Sequence, residues 1–375
     1  MRFKINYKKN SDQILDTHDF FSNKVMDVLL KIELQKASDL HIEFKEKTIY
    51  YRGRVHGRLR YIAHEDDPMI TDYLFQRWKD ICQFDQSKTG VAQDSSFALT
   101  KYGCRYRAAL SPGFGSDEAI VLRVIRDTWT PSLKKLHIPE DTEASFRLAI
   151  EHDKGMIIIT GPTGSGKSST LQALIYELDR KSLKVITLED PVERVIPYVW
   201  HQQISPSFSW TEGIRNALRS DPDVILIGEI RDAETAQLAF EAAQTGHLVL
   251  TTIHTNDVPG TIDRLIGLGV DQRVLADNLL LVTAQRLFQR LCKECKEVCE
   301  NGFSRNQKGC KSCDYSGDIG LVSAIEYVFK PDPYKILNFS KKEFPLNKTL
   351  SGEVKRLVSS GFINAQFLNI YGGVS

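Results

Sequence analysis

Gly155-Met156-Ile157-Ile158-Ile159-Thr160-Gly161-Pro162-Thr163-Gly164-Ser165-Gly166-Lys167-Ser168 decides how this chain is read. Its Ile-rich run is too short for a helix of its own and predicts a buried parallel strand. The run passes directly into Gly161-x4-Gly166-Lys167-Ser168, and Ser169 to Leu178 carries apolar side chains at helical spacing. Strand, glycine-rich loop and helix in that order are what a P-loop requires. Glycines let backbone N–H groups converge on phosphate oxygens, and the helix N-terminus adds partial positive charge. The expected nucleotide contacts are Gly161, Pro162, Thr163, Gly164, Ser165, Gly166, Lys167, Ser168 and Ser169. Lys167 would reach the β- and γ-phosphates, and the Ser168 hydroxyl would ligate Mg²⁺. The stretch predicts binding of a nucleoside triphosphate.

Downstream, helix and strand alternate, with strands predicted at Lys184–Leu188, Val224–Ile227 and Leu248–Thr252. Such alternation predicts an α/β domain with a parallel sheet of RecA type, helices on both faces and nucleotide at the carboxyl ends of the strands. Each predicted strand ends in polar residues: Glu189-Asp190, then Glu229-Ile230-Arg231-Asp232, then His254-Thr255-Asn256-Asp257, with Gly246-His247 just before the last strand. Acids at strand ends hold Mg²⁺ through water or orient an attacking water. Phosphoryl transfer asks the protein mainly for that positioning and for charge stabilisation.

Upstream the pattern changes. A polar lead-in (1–20) precedes an amphipathic helix at Ser22–Gln35 and an alternating strand at Asp39–Phe44. A hairpin of Thr48–Arg52 and Arg58–Ile62 follows, then a helix at Pro68–Cys82 and strands near Ser96–Thr100, Arg105–Leu110 and Ala119–Ile125. These predict a smaller α+β domain over 21–127. The proline-bearing stretch 128–139 reads as a linker, and 140–375 as the P-loop domain with a C-terminal helical part.

With 375 residues, 42% apolar and 26% charged, the composition is that of an ordinary soluble chain of two or three domains. Lys plus Arg (49) balances Asp plus Glu (48), so global charge gives no argument for nucleic acid or a membrane surface. No apolar run approaches the ~18 residues of a transmembrane helix. The basic N-terminus, Met1 to Lys9, lacks the apolar core of a signal peptide. Four of the seven cysteines fall in two C-x-x-C pairs, Cys292/Cys295 and Cys310/Cys313, separated by fourteen residues. That spacing is a strong zinc signature, and four thiolates around a tetrahedral ion make a structural site with no open position. Cys299 lies nearby as a spare or alternative ligand, whereas Cys82 and Cys104 read as ordinary residues. Reduced, metal-binding cysteines point to the cytoplasm.

Taken together these motifs resemble the type II secretion/type IV pilus ATPase family. Ala37-Ser38-Asp39-Leu40-His41-Ile42-Glu43 is similar to the signature of that family's N-terminal domain, Gly161–Ser168 to its Walker A, and Leu188–Glu193 to its Asp box. Leu218–Asp232 is similar to its Walker B, with Glu229 in place of the usual Asp. Thr245–Asp257 resembles its His box and Ala284-Gln285-Arg286-Leu287 a further hallmark. The resemblance implies a RecA-like ATPase domain behind a smaller PAS-like α+β domain, assembled as a homo-hexamer that hydrolyses ATP with Mg²⁺. It implies Glu189 as base or water-orienting acid, Glu229 as a Mg²⁺ support, and His247 and His254 as γ-phosphate sensors or couplers to domain motion. Arg107 and Arg123 would act as arginine fingers from the N-terminal domain. Where many relatives read Asp-Gly-Arg, this chain has Asp94-Ser95-Ser96, so one expected arginine is missing.

The implied partner is an inner-membrane platform protein, and the implied location the cytoplasmic face of the inner membrane, held peripherally, with no nucleic acid. Tetracysteine elements, expected here to hold Zn²⁺, are common in assembly and secretion members and typically absent from retraction motors. A retraction ATPase, a RecA-like nucleic-acid translocase and an ATP-binding scaffold of little turnover are the alternative readings.

Overall fold

The computed structural model describes residues 20–55, 57–99, 104–126 and 130–371. The basic N-terminal residues and nearly all of the lead-in lie outside them, as do Thr100 and residues 128–129 of the proposed linker. The chain divides into two compact units between Thr130 and Pro131.

In the first unit, helix α1 (Phe20–Leu34) buries Val25, Val28, Leu29 and Ile32, one stripe at helical spacing. Strands β1 (Asp39–Lys45), β2 (Thr48–Val55) and β3 (Arg58–Glu65) follow, then α2 (Thr71–Ile81), β4 (Gln93–Leu99), β5 (Cys104–Pro112) and β6 (Glu118–Arg126). They form a six-stranded antiparallel sheet in the order β3-β2-β1-β6-β5-β4. One sheet face buries Leu40, Ile49, Tyr106 and Leu122 in a core with Trp78 and Ile32; Cys82 and Cys104 belong to it as well. On the other face the register lines up Arg54, Asp39, Arg123, Arg107 and Ser96 in one row across five strands.

The second unit opens with α3 (Glu140–Ile150), β7 (Gly155–Thr160), α4 (Lys167–Glu177), β8 (Val185–Glu189) and β9 (Val199–Gln203). It continues with α5 (Trp210–Leu218), β10 (Val224–Ile227), α6 (Ala233–Gln244), β11 (Leu248–Ile253), α7 (Val258–Gly267) and α8 (Gln272–Asn278). The long strand β12 (Leu279–Leu291), a small hairpin of β13 (Glu297–Cys299) and β14 (Gly302–Ser304), β15 (Asp318–Phe329), α9 (Pro333–Leu337), α10 (Leu350–Ser359) and the one-turn α11 (Leu368–Tyr371) follow. Seven strands run in the order β15-β12-β7-β11-β10-β8-β9, all parallel except β15 at the edge. This is the RecA-like order, with the P-loop strand β7 inside.

Alternate residues of the central strands feed two separate cores, as a sheet covered on both faces requires. Ile158, Ile186 and Ile225 pack with Ile214, Phe240 and Ile262 from α5, α6 and α7. Ile157, Val185 and Leu226 pack with Phe146, Leu171 and Leu174 from α3 and α4. Leu133 and Ile138, within the stretch read as a linker, also belong to this second core. Three strands of the seven-stranded sheet were not expected from periodicity. Strand β9 is short and half-exposed, and β12 and β15 mix apolar residues with Gln285, Arg286, Gln289 and Glu326.

Phe240 is 1% exposed at the centre of the first of these cores. Its truncation to Ala is expected to cost about 3–5 kcal/mol in urea unfolding. Leu34→Ala, at a side chain 74% exposed, is expected to leave the midpoint unchanged.

Candidate active site

Strand β7 is buried along its whole length and delivers Thr160 to the loop. The Thr160 hydroxyl donates to Ile253 O at 2.7 Å and stands 2.7 Å from Thr255 Oγ1, which in turn stands 2.7 Å from Thr261 Oγ1. A hydroxyl chain therefore joins the base of the P-loop to the start of α7. Gly161, Gly164 and Gly166 take φ of +142°, +78° and +89°, a region L side chains avoid. Two of them also face β12. A Cβ on Gly161 would collide with the Gln285 carbonyl, and one on Gly166 would stand 2.9 Å from Gln285 Nε2. Gln285 itself is buried, accepting from Thr170 Oγ1 at 2.9 Å. The hallmark at 284–287, given no role by the sequence, is the wall behind the P-loop.

Lys167 is the first residue of α4, and its Nζ donates to Gly161 O at 2.8 Å and Pro162 O at 3.1 Å. Burial pulls its pKa below the ordinary lysine value; Arg286 pushes the same way and Glu229 opposes. An ammonium so placed gains by meeting an anion. Ser165 Oγ is buried with no hydrogen-bond partner among the described residues, whereas Ser168 is exposed. The loop therefore offers an unused hydroxyl, a free hydroxyl and a desolvated cation, a donor set matched to phosphate and its metal.

Glu229 follows β10, paired with Arg231 through Oε1 and with His254 Nε2 at 3.3 Å from Oε2. Glu189 closes β8, the strand beside β10. Its Oε1 accepts from Thr187 Oγ1 at 2.7 Å and lies 3.0 Å from His201 Nδ1. Glu189, Glu229 and His254 thus stand at the carboxyl ends of the strands, on the same side of the sheet as Lys167. His247 does not. It precedes β11, its backbone carbonyl accepts from Gly155 N at the start of β7, and its Nδ1 lies 2.8 Å from Ala242 O at the end of α6. Six residues of extended strand, about 20 Å, separate it from the His254 end.

In the first unit Asp39 binds Arg123 Nε at 3.1 Å and Arg54 Nε at 3.8 Å. Arg107 is exposed and directly opposite Arg123, so one buried carboxylate offsets part of the repulsion within a row of three cations. Arg54 was missed in the sequence because nothing in Arg52-Gly53-Arg54 marks which arginine shares a face with Arg123. Ser96 occupies the β4 position of the row.

The sulfurs of Cys292, Cys295, Cys310 and Cys313 all lie within 4.8 Å of one another, and three of the pairs stand at 3.8 Å. A tetrahedron with Zn–S bonds of about 2.3 Å has edges of about 3.8 Å. Burial opposes ionisation of Cys313, but N–H groups of Cys310 and Gly317 donate to its sulfur and bring its pKa down to about 6. The cluster joins β12 to β15 through Cys292 N and Gly317 O at 3.0 Å. Cys299 lies outside it, in β13.

Residues 15–365 match the family described as Type II/IV secretion system protein. The chain is 33% identical over 354 residues to the type II secretion system ATPase E of Vibrio cholerae, spanning 89% of this chain and 70% of that protein. It is 32% identical to the type IV pilus assembly ATPase PilB of Myxococcus xanthus, spanning 89% of this chain and 62% of that protein. Among solved structures it is similar to the ATPase DotB of Legionella pneumophila (TM-score 0.72, 25% identity, 93% of this chain and 96% of the other). It is also similar to the pilus retraction motor PilT with bound ADP (TM-score 0.67, 25% identity, 91% and 95%).

The glycine wall gives a direct test. Gly161→Ala, forced against a backbone carbonyl that has no rotamer to escape into, is expected to weaken binding of a fluorescent ATP analogue at least ~10-fold. Gly164→Ala, which meets nothing within 4 Å, is expected to weaken it less, through its φ alone.

Proposed function

We propose, from the premise that this chain belongs to the Type II/IV secretion system protein family, that its ATP hydrolysis drives assembly of a pilus or pseudopilus. The fibre would belong to a type IV pilus, a competence system or a type II secretion system. The working form is a hexamer bound peripherally to the cytoplasmic face of the inner membrane, acting on a platform protein there. The observation that carries the assembly direction is the closed four-sulfur cluster, since retraction members of the family typically lack it. Both relatives described above, a secretion ATPase and a pilus assembly ATPase, support the same direction.

Within the site, Lys167 leaves the Gly161 and Pro162 carbonyls to neutralise the β- and γ-phosphates, and the α4 N-terminus receives their oxygens. Ser168 and, through water, Glu229 would hold Mg²⁺, which supplies charge neutralisation between the phosphates. Glu189 orients the attacking water. His254, already against Glu229, reads the γ-phosphate; for His247 a cap on the end of α6 is the better-supported role. Arg107 and Arg123 bring positive charge to the triphosphate in the assembled ring, with Arg123 paired to Asp39 until then. The four cysteines hold Zn²⁺ as a closed structural ion.

Three results are expected. Glu189→Gln retains ATP with magnesium while turnover falls at least ~100-fold, and normal hydrolysis would remove it from the reacting groups. Wild-type hydrolysis is unchanged by DNA or RNA; strong stimulation would favour a nucleic-acid translocase instead. Thiol titration of the folded protein with a mercurial releases about one zinc per chain into a metal-sensitive dye and lowers the melting temperature.

A further inference from the structure

The acid assigned to the water is itself held by a residue that no sequence motif marked. Strand β9 is the outer neighbour of β8, and its register places His201 directly opposite Thr187. Glu189 is two residues beyond Thr187, so all three side chains share one face of the sheet. His201 Nδ1 lies 3.0 Å from Glu189 Oε1 and 2.7 Å from Thr187 Oγ1. Its other nitrogen, Nε2, accepts from the backbone N–H of Ile196 at 2.9 Å. A ring nitrogen that accepts carries no proton, so the proton is on Nδ1, shared between the Thr187 hydroxyl oxygen at 2.7 Å and the carboxylate at 3.0 Å. The His201 and Glu189 side chains are 8% and 14% exposed. Both donors land on Oε1, and Oε2 has no hydrogen bond among the described residues.

We infer that His201, through its Nδ1–H and with the Thr187 hydroxyl, is a positioning residue for Glu189. It fixes one carboxylate oxygen so that the other is presented to the hydrolytic water. The inference rests on the role given to Glu189 above. Such a clamp acts on the rate of the chemical step rather than on nucleotide affinity, because the bonds of both donors go to Glu189, Ile196 and each other and a small misplacement of a reacting group costs turnover.

The two nitrogens allow a paired test. Asn at 201 puts an amide N–H near the place of Nδ1 and keeps the bond to Glu189, while losing the one to Ile196. Gln reaches the place of Nε2, keeps an acceptor for Ile196 N–H and loses the bond to Glu189. Steady-state ATP hydrolysis by the full-length protein is expected to show His201→Gln reduced ~10- to 100-fold in kcat with KM within about 2-fold, and His201→Asn within about 3-fold of wild type. Thr187→Val, which keeps the shape of a buried side chain and removes only the hydroxyl, is expected to lose part of kcat at unchanged KM and melting temperature. A His201→Gln variant as fast as wild type overturns the inference. So do Gln and Asn variants that are equally slow, which would trace the effect to packing around Ile196. Glu189→Gln measured alongside separates the two levels: if it turns over normally, the role of Glu189 fails first. If it is inactive while His201→Gln is not, only the positioning role fails.

Discussion

A strand backbone pressed against a glycine backbone governs this ATPase. The Gln285 carbonyl occupies the space where any other residue at 161 would carry its Cβ, and Gln285 Nε2 does the same at Gly166. The loop is therefore shaped from behind by β12 as much as by its own glycines, and Thr170 ties the helix to the same glutamine. With the loop fixed, Lys167 Nζ bonds to the Gly161 and Pro162 carbonyl oxygens, and its burial makes these a poor substitute for phosphate. The same preorganisation sets the strand-end acids: β10 and β8 are held in parallel register with Ile227 opposite Leu188, so Glu189 and Glu229 leave the sheet within one residue of the same level. Catalysis by positioning depends on such fixed backbones more than on any single side chain.

The fold was legible where one physical requirement dominates the local sequence. Central strands β7, β8, β10 and β11 are continuous apolar runs because both faces are covered, and they stand where their Ile, Val and Leu clusters put them. Edge and near-edge strands were not legible. Residues 198–203 carry Tyr, Trp, His and Gln because β9 meets solvent on one side, and β12 changes from fully to half-buried along its thirteen residues. Periodicity has little to report in either case. The site divides in the same way. Glycines, Lys167, the acids and the cysteine pairs are defined by spacing along the chain. Arg54, Gln285 and His201 depend on register between strands, which no local pattern contains. His247 illustrates the converse, since two histidines in one short motif lie at opposite ends of a single strand.

Charge is handled differently in the two units. In the P-loop unit Lys167 is partly desolvated and bonded to carbonyl oxygens, while Glu229 is paired with Arg231. In the first unit a row of cations is laid across the sheet with Asp39 between Arg54 and Arg123. The Ser96 position leaves that row one cation shorter than the Asp-Gly-Arg pattern would make it, while Arg54 adds one on the far side of Asp39. A side chain paired with an internal carboxylate is already restrained, so less side-chain entropy is lost when it meets an external anion.

Strand β12 touches the P-loop at Gln285 and, a few residues on, enters the four-sulfur cluster at Cys292, which also grips β15 through Gly317. A two-stranded ribbon pinned in this way behaves as a stiff beam instead of a hinge. Movement of the P-loop toward β12 would therefore be opposed at Gln285 by a strand held at its far end.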